Sequence, residues 1–153
     1  MSRTVEELQS IAKRIRREII EMIGAAKSGH PGGSLSAVEI LVELYFNRMH
    51  IDPKNPTLAD RDRFILSKGH AAPVLYAVMA EMGYDQTPLD KLNTLRKWGS
   101  VSQGHPDVRC IPALEASPAS LREWRSLALG LGSAARPTGR TSRLLVLLGS
   151  GWL

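Results

Sequence analysis

Four histidines are the residues of this chain best suited to move protons or hold a phosphate: His30, His50, His70 and His105. An imidazole titrates near neutral pH, donates to phosphate or sugar hydroxyls, and can act as a general base. Three of the four follow glycine, as Gly29-His30, Gly69-His70 and Gly104-His105, and two of these precede proline. Glycine before a histidine removes a side chain and lets another molecule approach the backbone. Proline after it stiffens the loop. His50, between Met49 and Ile51, reads as an ordinary surface or core residue. The histidines are widely spaced and lack the close ligand pair of a zinc site, so no metal cluster is expected from them.

A second feature is the apolar run Leu144-Leu145-Val146-Leu147-Leu148, followed by Gly149-Ser150-Gly151. A Gly-x-Gly turn after a buried strand can admit phosphate, although such turns often mark nothing more than a tight bend. Neither a phosphate-loop lysine pattern nor a Gly-x-Ser-x-Gly nucleophile elbow is present, which leaves a serine-hydrolase triad without support.

The elements that must position these residues can be read from periodicity. Val5, Leu8, Ala12, Ile15, Ile19 and Ile23 line one helix face, with Thr4 and Glu7 as a capping box. Gly24 and the glycine–proline run through Gly33 should end that helix. A second helix should begin at Ser36, with Glu39 as box partner and Val38, Leu41, Val42, Tyr45 and Met49 inward. Phe64-Ile65-Leu66 reads as a buried strand that leads straight into Ser67-Lys68-Gly69-His70. A third helix is expected over 71–82, stopping at Gly83, and a fourth from Thr87-Pro88 to about Trp98-Gly99. Residues 99–119 read as a long loop, and loops of that length in compact domains tend to be functional or disordered. A helix is expected over 120–135, with Leu144 to Leu148 as a second buried strand. Helices interleaved with strands buried on both faces indicate an α/β domain with a parallel sheet. Ligands of such sheets lie beyond the carboxyl ends of the strands, here Ser67 to His70 and Gly149 to Gly151.

The 153 residues suffice for one domain, and 43% apolar with 23% charged residues is a globular composition. Cys110 is alone and cannot form an internal disulfide. No apolar run reaches membrane-spanning length, and the acidic MSRTVEELQS start lacks a signal-peptide core, so a cytoplasmic protein is expected. The net charge of +5 is concentrated at one end: Arg122, Arg125, Arg136, Arg140 and Arg143 stand against Glu123 alone after residue 115. Few aromatics accompany them and no nucleic-acid-binding motif is visible, which argues against a nucleic-acid partner.

Three of these stretches resemble transketolase signatures. They are Lys27-Ser28-Gly29-His30-Pro31-Gly32-Gly33-Ser34-Leu35-Ser36, Arg61 through Ala71 (reading RDRFILSKGHA), and Gly104-His105-Pro106-Asp107. They occur in the family's order, and the resemblance runs from about residue 5 to the end of the chain. It implies a three-layer thiamine-diphosphate-binding fold, a parallel sheet flanked by helices and incomplete at the C-terminus. Residues 1–153 then form a single domain, part of a transketolase N-terminal domain. It also implies transfer of a two-carbon ketol unit between sugar phosphates, as in the pentose phosphate pathway, with thiamine diphosphate and a magnesium ion as cofactors. By position, His30 and His105 would contact sugar hydroxyls and assist proton transfer. His70, Leu121 and Gly151 would hold the cofactor. The implied partners are a second copy of the chain, in the complete assembly, together with a transketolase C-terminal subunit.

The sequence departs from that pattern in two places. Where the family carries a glycine-rich stretch after its glutamate, this chain continues from Glu115 with Ala119, Arg122 and Trp124 at the glycine positions. Where the family's metal motif reads Gly-Asp-Gly, Ser150 stands at the aspartate, so no metal ligand is assigned. The chain ends at Leu153, ahead of the family's asparagine ligand, and reads as truncated. The chain alone is therefore expected to be inactive. Three readings stay open: an N-terminal subunit completed by a separate chain, a non-catalytic relic or interaction module that keeps the fold, and a basic binding module. The altered positions put the second ahead of the first, with the third well below both.

Overall fold

The structure, a computed structural model, describes residues 3–115, 129, 130, 133 and 142–149. Helix α1 spans Val5–Ala26. Glu7 N–H donates to Thr4 Oγ1 at 3.3 Å and Thr4 N–H to Glu7 Oε2 at 2.8 Å, so the expected capping box forms. The buried stripe is Ile11, Ala12, Ile15, Ile19 and Met22, while Val5 is exposed. The 3.6-residue period holds, but its centre lies toward Ile11 and Met22, and the first turn runs past its partners. Gly24 does not stop the helix, which closes at Lys27 in the left-handed conformation (φ 48°).

The glycine–proline run forms its own short helix, α2, Pro31–Leu35, because Pro31 at the first position has no N–H to lose. Helix α3, Val38–Glu43, follows. The expected Ser36–Glu39 box is absent: Ser36 Oγ donates to Gly33 O at 3.2 Å, and Glu39 pairs with Arg16. A π-helical turn over Leu44–Arg48 continues α3 and sets the Tyr45 ring edge-on to Phe64, with centroids 5.5 Å apart.

Strand β1, Arg63–Leu66, is followed by a 3₁₀ turn, Gly69–Ala71, and by α4, Ala72–Met82, which stops at Gly83 as expected. Nine consecutive α4 residues, Ala72 to Ala80, are buried, so this helix is the centre of the core. Its apolar side chains meet Ile15, Ile19 and Met22 of α1 and Val38 and Leu41 of α3 in one cluster. Each buried Ile, Leu or Met there contributes about 1.5–3 kcal/mol.

The expected fourth helix shrinks to a 3₁₀ stretch, Leu89–Thr94. Leu92 and Leu95 are both buried, a three-residue spacing that the 3₁₀ period puts on one side. The chain then turns sharply at Arg96, in the left-handed region at φ 61°. Residues 99–115 contain neither helix nor strand, as expected of the long loop. Of the helix expected over 120–135, Leu129, Gly130 and Ser133 are described and are helical; the rest lies outside the described residues.

Strand β2, Leu144–Leu147, pairs parallel to β1 with Arg63 opposite Leu144 and Leu66 opposite Leu147. The domain is therefore α/β with a parallel pair, as the interleaved pattern predicts. Burial departs from expectation for β2, whose four residues are half-buried; among the described residues it has β1 as its one hydrogen-bonded neighbour. A carboxylate fixes the register where the strands begin. Asp62 accepts from Arg143 N at 2.7 Å, Arg143 Nη2 at 2.6 Å and His50 N at 2.8 Å.

Candidate functional site

The strands run out at Leu66 and Leu147, and Ser67 N still donates to Leu147 O at 3.0 Å. Lys68 and Gly149 come next, side by side: a side chain begun at Gly149 would lie 3.8 Å from Lys68 Cβ. The 3₁₀ turn then lifts His70 out of the sheet, leaving it exposed. Its ring meets that of His30 edge-on, with centroids 6.3 Å apart. Two motifs forty positions apart in the chain thus share one rim.

Gly33 makes that meeting possible. A methyl group at Gly33 would lie 2.9 Å from His70 Cδ2 and 3.0 Å from Nε2, closer than carbon contacts allow. The bare backbone of α2 is therefore the seat on which the imidazole rests. His30, the residue before α2, has extended backbone, makes no side-chain cap and is exposed. Its imidazole is exposed beside the His70 ring.

The third motif arrives through Arg96, which sequence reasoning passed over. Arg96 Nη1 donates to Ser28 Oγ at 2.5 Å, two residues before His30. Its Nε lies 3.3 Å from where a side chain at Gly104 would start, one residue before His105. One guanidinium therefore packs between the loop of His30 and the loop of His105. A buried tyrosine fixes the same loop from below, as Tyr76 OH donates to Gln103 O at 2.8 Å, and burial pushes its phenol pKa up. The signal that could have found Arg96 is slight: an arginine forced into left-handed backbone by the turn before Gly99 costs about 1–3 kcal/mol and persists where the surroundings hold it. His105 itself is exposed.

His50 lies at the other end of the sheet. Its backbone N–H serves Asp62, and its ring takes no part in the rim. Leu121, Arg122, Trp124, Ser150 and Gly151 lie outside the described residues. Cys110 is an exposed free thiol. Among the described residues no three His, Cys, Asp or Glu side chains are gathered to hold a metal, and no helix is long and apolar enough to cross a membrane.

The rim therefore offers exposed imidazoles, a lysine ammonium and glycine-thinned backbone beyond the carboxyl ends of parallel strands, a place suited to anions. Residues 7–140 match the family model described as transketolase, thiamine diphosphate binding domain. The chain is 39% identical over 151 residues to the 6-deoxy-6-sulfo-D-fructose transketolase subunit of Clostridium sp. (strain MSTE9), covering 99% of this chain and 54% of that protein. It is 33% identical over 147 residues to an apulose-4-phosphate transketolase subunit of Phocaeicola vulgatus, covering 96% and 51%. The chain thus spans about half the length of these curated relatives. Among solved structures, Campylobacter jejuni transketolase superposes with a TM-score of 0.89 at 31% identity, over 97% of this chain and 24% of that one. Leishmania mexicana transketolase gives 0.84 at 28% identity, over 99% and 23%. This chain belongs to the transketolase family, within its thiamine-diphosphate-binding N-terminal domain.

Proposed function

We propose that the chain is the cofactor-diphosphate-binding part of a transketolase and works with a C-terminal half to move a two-carbon ketol unit between sugar phosphates. The observation that carries this reading is the convergence of His30, His70 and the His105 loop on one rim through Gly33 and Arg96. Such a rim is what a phosphorylated cofactor and a polyhydroxylated donor need side by side.

The His70 imidazole, seated on Gly33, and the Lys68 ammonium fit the diphosphate end of thiamine diphosphate. When bound, that cofactor supplies the carbanion chemistry that breaks and remakes a carbon–carbon bond. The protein's own residues do the rest. His70, fixed against α2, donates to diphosphate oxygen. An imidazole nitrogen of His30 or His105 accepts a donor-sugar hydroxyl proton as the bond breaks and returns it to the acceptor oxygen as the new bond forms. Arg96 holds the two loops at one spacing, and small displacements of such groups are costly to rate. The two subunit relatives are named for sugars that carry a sulfonate or a phosphate, which supports an anionic ketose as donor. The partners proposed are a second copy of the chain and a separate C-terminal half, in the cytoplasm.

Reconstitution tests this reading. The purified chain mixed with thiamine diphosphate and the C-terminal half of a transketolase is expected to transfer ketol units, while the chain alone is expected to show none. Absence of turnover from a mixture whose C-terminal half is active with a relative's N-terminal half would overturn it. That result would favour the second reading, a scaffold that keeps the fold without the chemistry. Arg122, Trp124 and Ser150, at positions where the family pattern has glycines and an aspartate, speak for it.

A further inference from the structure

Among the described residues Lys68 is a cation without a carboxylate partner. Its Nζ donates to Ser36 Oγ at 3.1 Å, and its backbone lies two residues beyond the end of β1. Burial pulls its pKa below the usual lysine value, with no carboxylate opposing that pull. Partial desolvation of an ammonium is unfavourable unless an anion repays it. Elsewhere around the sheet the cations are matched: Arg61 and Arg63 pair with Glu115, and Arg143 with Asp62.

A magnesium ion does not fit the residues at this rim. Magnesium holds to hard, preferably anionic oxygens in octahedral geometry. In sequence, Ser150 brings a neutral hydroxyl where the family resemblance expects a carboxylate, and no acidic cluster stands among the described residues. The residue beside Gly149 is instead Lys68, whose Cβ lies 3.8 Å from where a side chain at Gly149 would start, and whose ammonium is held by Ser36 Oγ.

We propose that this chain binds a diphosphate at the carboxyl ends of β1 and β2 without a divalent cation, with the Lys68 ammonium, oriented by Ser36, in place of the metal. The proposal rests on the function proposed above for the identity of the anion. Lysine binds phosphate as a point charge. The contact is electrostatic and only partly buried, so binding is salt-sensitive.

Calorimetric titration of the full chain decides it, with thiamine diphosphate and separately inorganic pyrophosphate, first in EDTA and then in excess magnesium. Both anions are expected to bind in EDTA, and magnesium is expected to change Kd by less than about threefold because no ligand set gathers it among the described residues. Lys68→Met is expected to weaken binding by about 10- to 100-fold, since a charge-assisted contact is lost, whereas Lys68→Arg keeps the charge and most of the affinity. Matching thermal melts of both variants and the parent separate this from unfolding. Binding that appears only with magnesium, a Lys68→Met chain that binds as tightly as the parent, or a cooperatively melting chain that binds neither anion would each overturn the proposal. Metal-free binding without turnover in the reconstituted mixture leaves the proposal standing and sinks the proposed function. Strict magnesium dependence with turnover does the reverse.

Discussion

The two ends of the β1–β2 pair carry opposite electrostatic designs. Where the strands begin, the charges are partnered. Arg61 and Glu115 are side chains only 8% and 7% exposed, and Glu115 Oε2 also accepts from Arg63 Nη1 at 2.9 Å. Asp62 is 3% exposed and takes both the backbone and the guanidinium of Arg143. Where the strands end, the exposed imidazoles of His30 and His70 and the Lys68 ammonium stand without a carboxylate pair among the described residues. A region that satisfies its own charges is a clamp that sets register. Under the function proposed above, the region that gathers donors and leaves them open is the one that takes the anionic ligand.

The sharpest way to break the comparison is Glu115→Ala, which strands the buried Arg61 guanidinium. The expected loss is about 3–5 kcal/mol of stability, the usual cost of an uncompensated buried charge, read from the urea midpoint. A loss under about 1 kcal/mol, the level of a surface pair, would mean that the paired end is not structural.

Asp62→Ala comes next, at about 2–3 kcal/mol, because it orphans two backbone donors as well as a guanidinium. Burial alone would raise the Asp62 carboxyl; the Arg143 side chain and the backbone N–H groups of His50 and Arg143 outweigh it and hold the pKa below the ordinary value. The folded-state pKa is thus depressed. The stabilisation is complete above the unfolded value of about 3.9 and is lost as pH falls through the folded one. The variant should flatten the acid limb of the stability curve between about pH 5 and 2, and a limb as steep as the parent's would count against the clamp.

At the open end, Gly33→Ala tests whether the rim is a site. Its methyl group drives His70 off α2, and displacement of a functional group by about 1 Å can cost up to 100-fold in rate. The reconstituted mixture is expected to lose about 10- to 100-fold in turnover, while the melting temperature moves little. Unchanged turnover would show that the placement of His70 is incidental.

The smallest effect belongs to neither end. Glu18, half-buried between α1 and α4, has its carboxyl raised to about 8 by desolvation and then by hydrogen bonding and repulsion from Glu81. Arg14 pairs with Glu81 at 2.8 Å, leaving Glu18 as the odd acid. A raised acid contributes stability that is full below its unfolded pKa and lost as pH climbs through the folded one. Glu18→Gln is therefore expected to raise Tm by about 2–4 °C above pH 8, after allowance for solvent screening, and to change nothing at pH 4. Equal melting temperatures at high pH would count against this.

Much of this was legible in the residues. Thr4 and Glu7 announced the cap, Phe64 to Leu66 and Leu144 to Leu147 the strands, and Gly83 the end of α4; of the glycine-preceded histidines, His30 and His70 meet ring to ring. The misses have local causes. Pro31 could start a helix as readily as end one. Ser36 was claimed by Lys68 and Gly33 rather than by Glu39. Tertiary burial of Leu92 and Leu95 overrode the proline-led start of a fourth helix. Arg96 and the pairing of Asp62 with Arg143, eighty-one positions apart, carry no periodicity and emerge only when the chain is folded.

The most direct test of the central claim is a chemical-shift titration of the ¹⁵N-labelled chain with thiamine diphosphate. The largest shifts are predicted at residues 28–36, 67–71, 103–105 and 149, with the acid-paired end at 48–50, 61–63 and 142–144 unmoved. Shifts centred on the paired end, or none from a folded chain, would contradict the assignment of the open strand ends as the cofactor site.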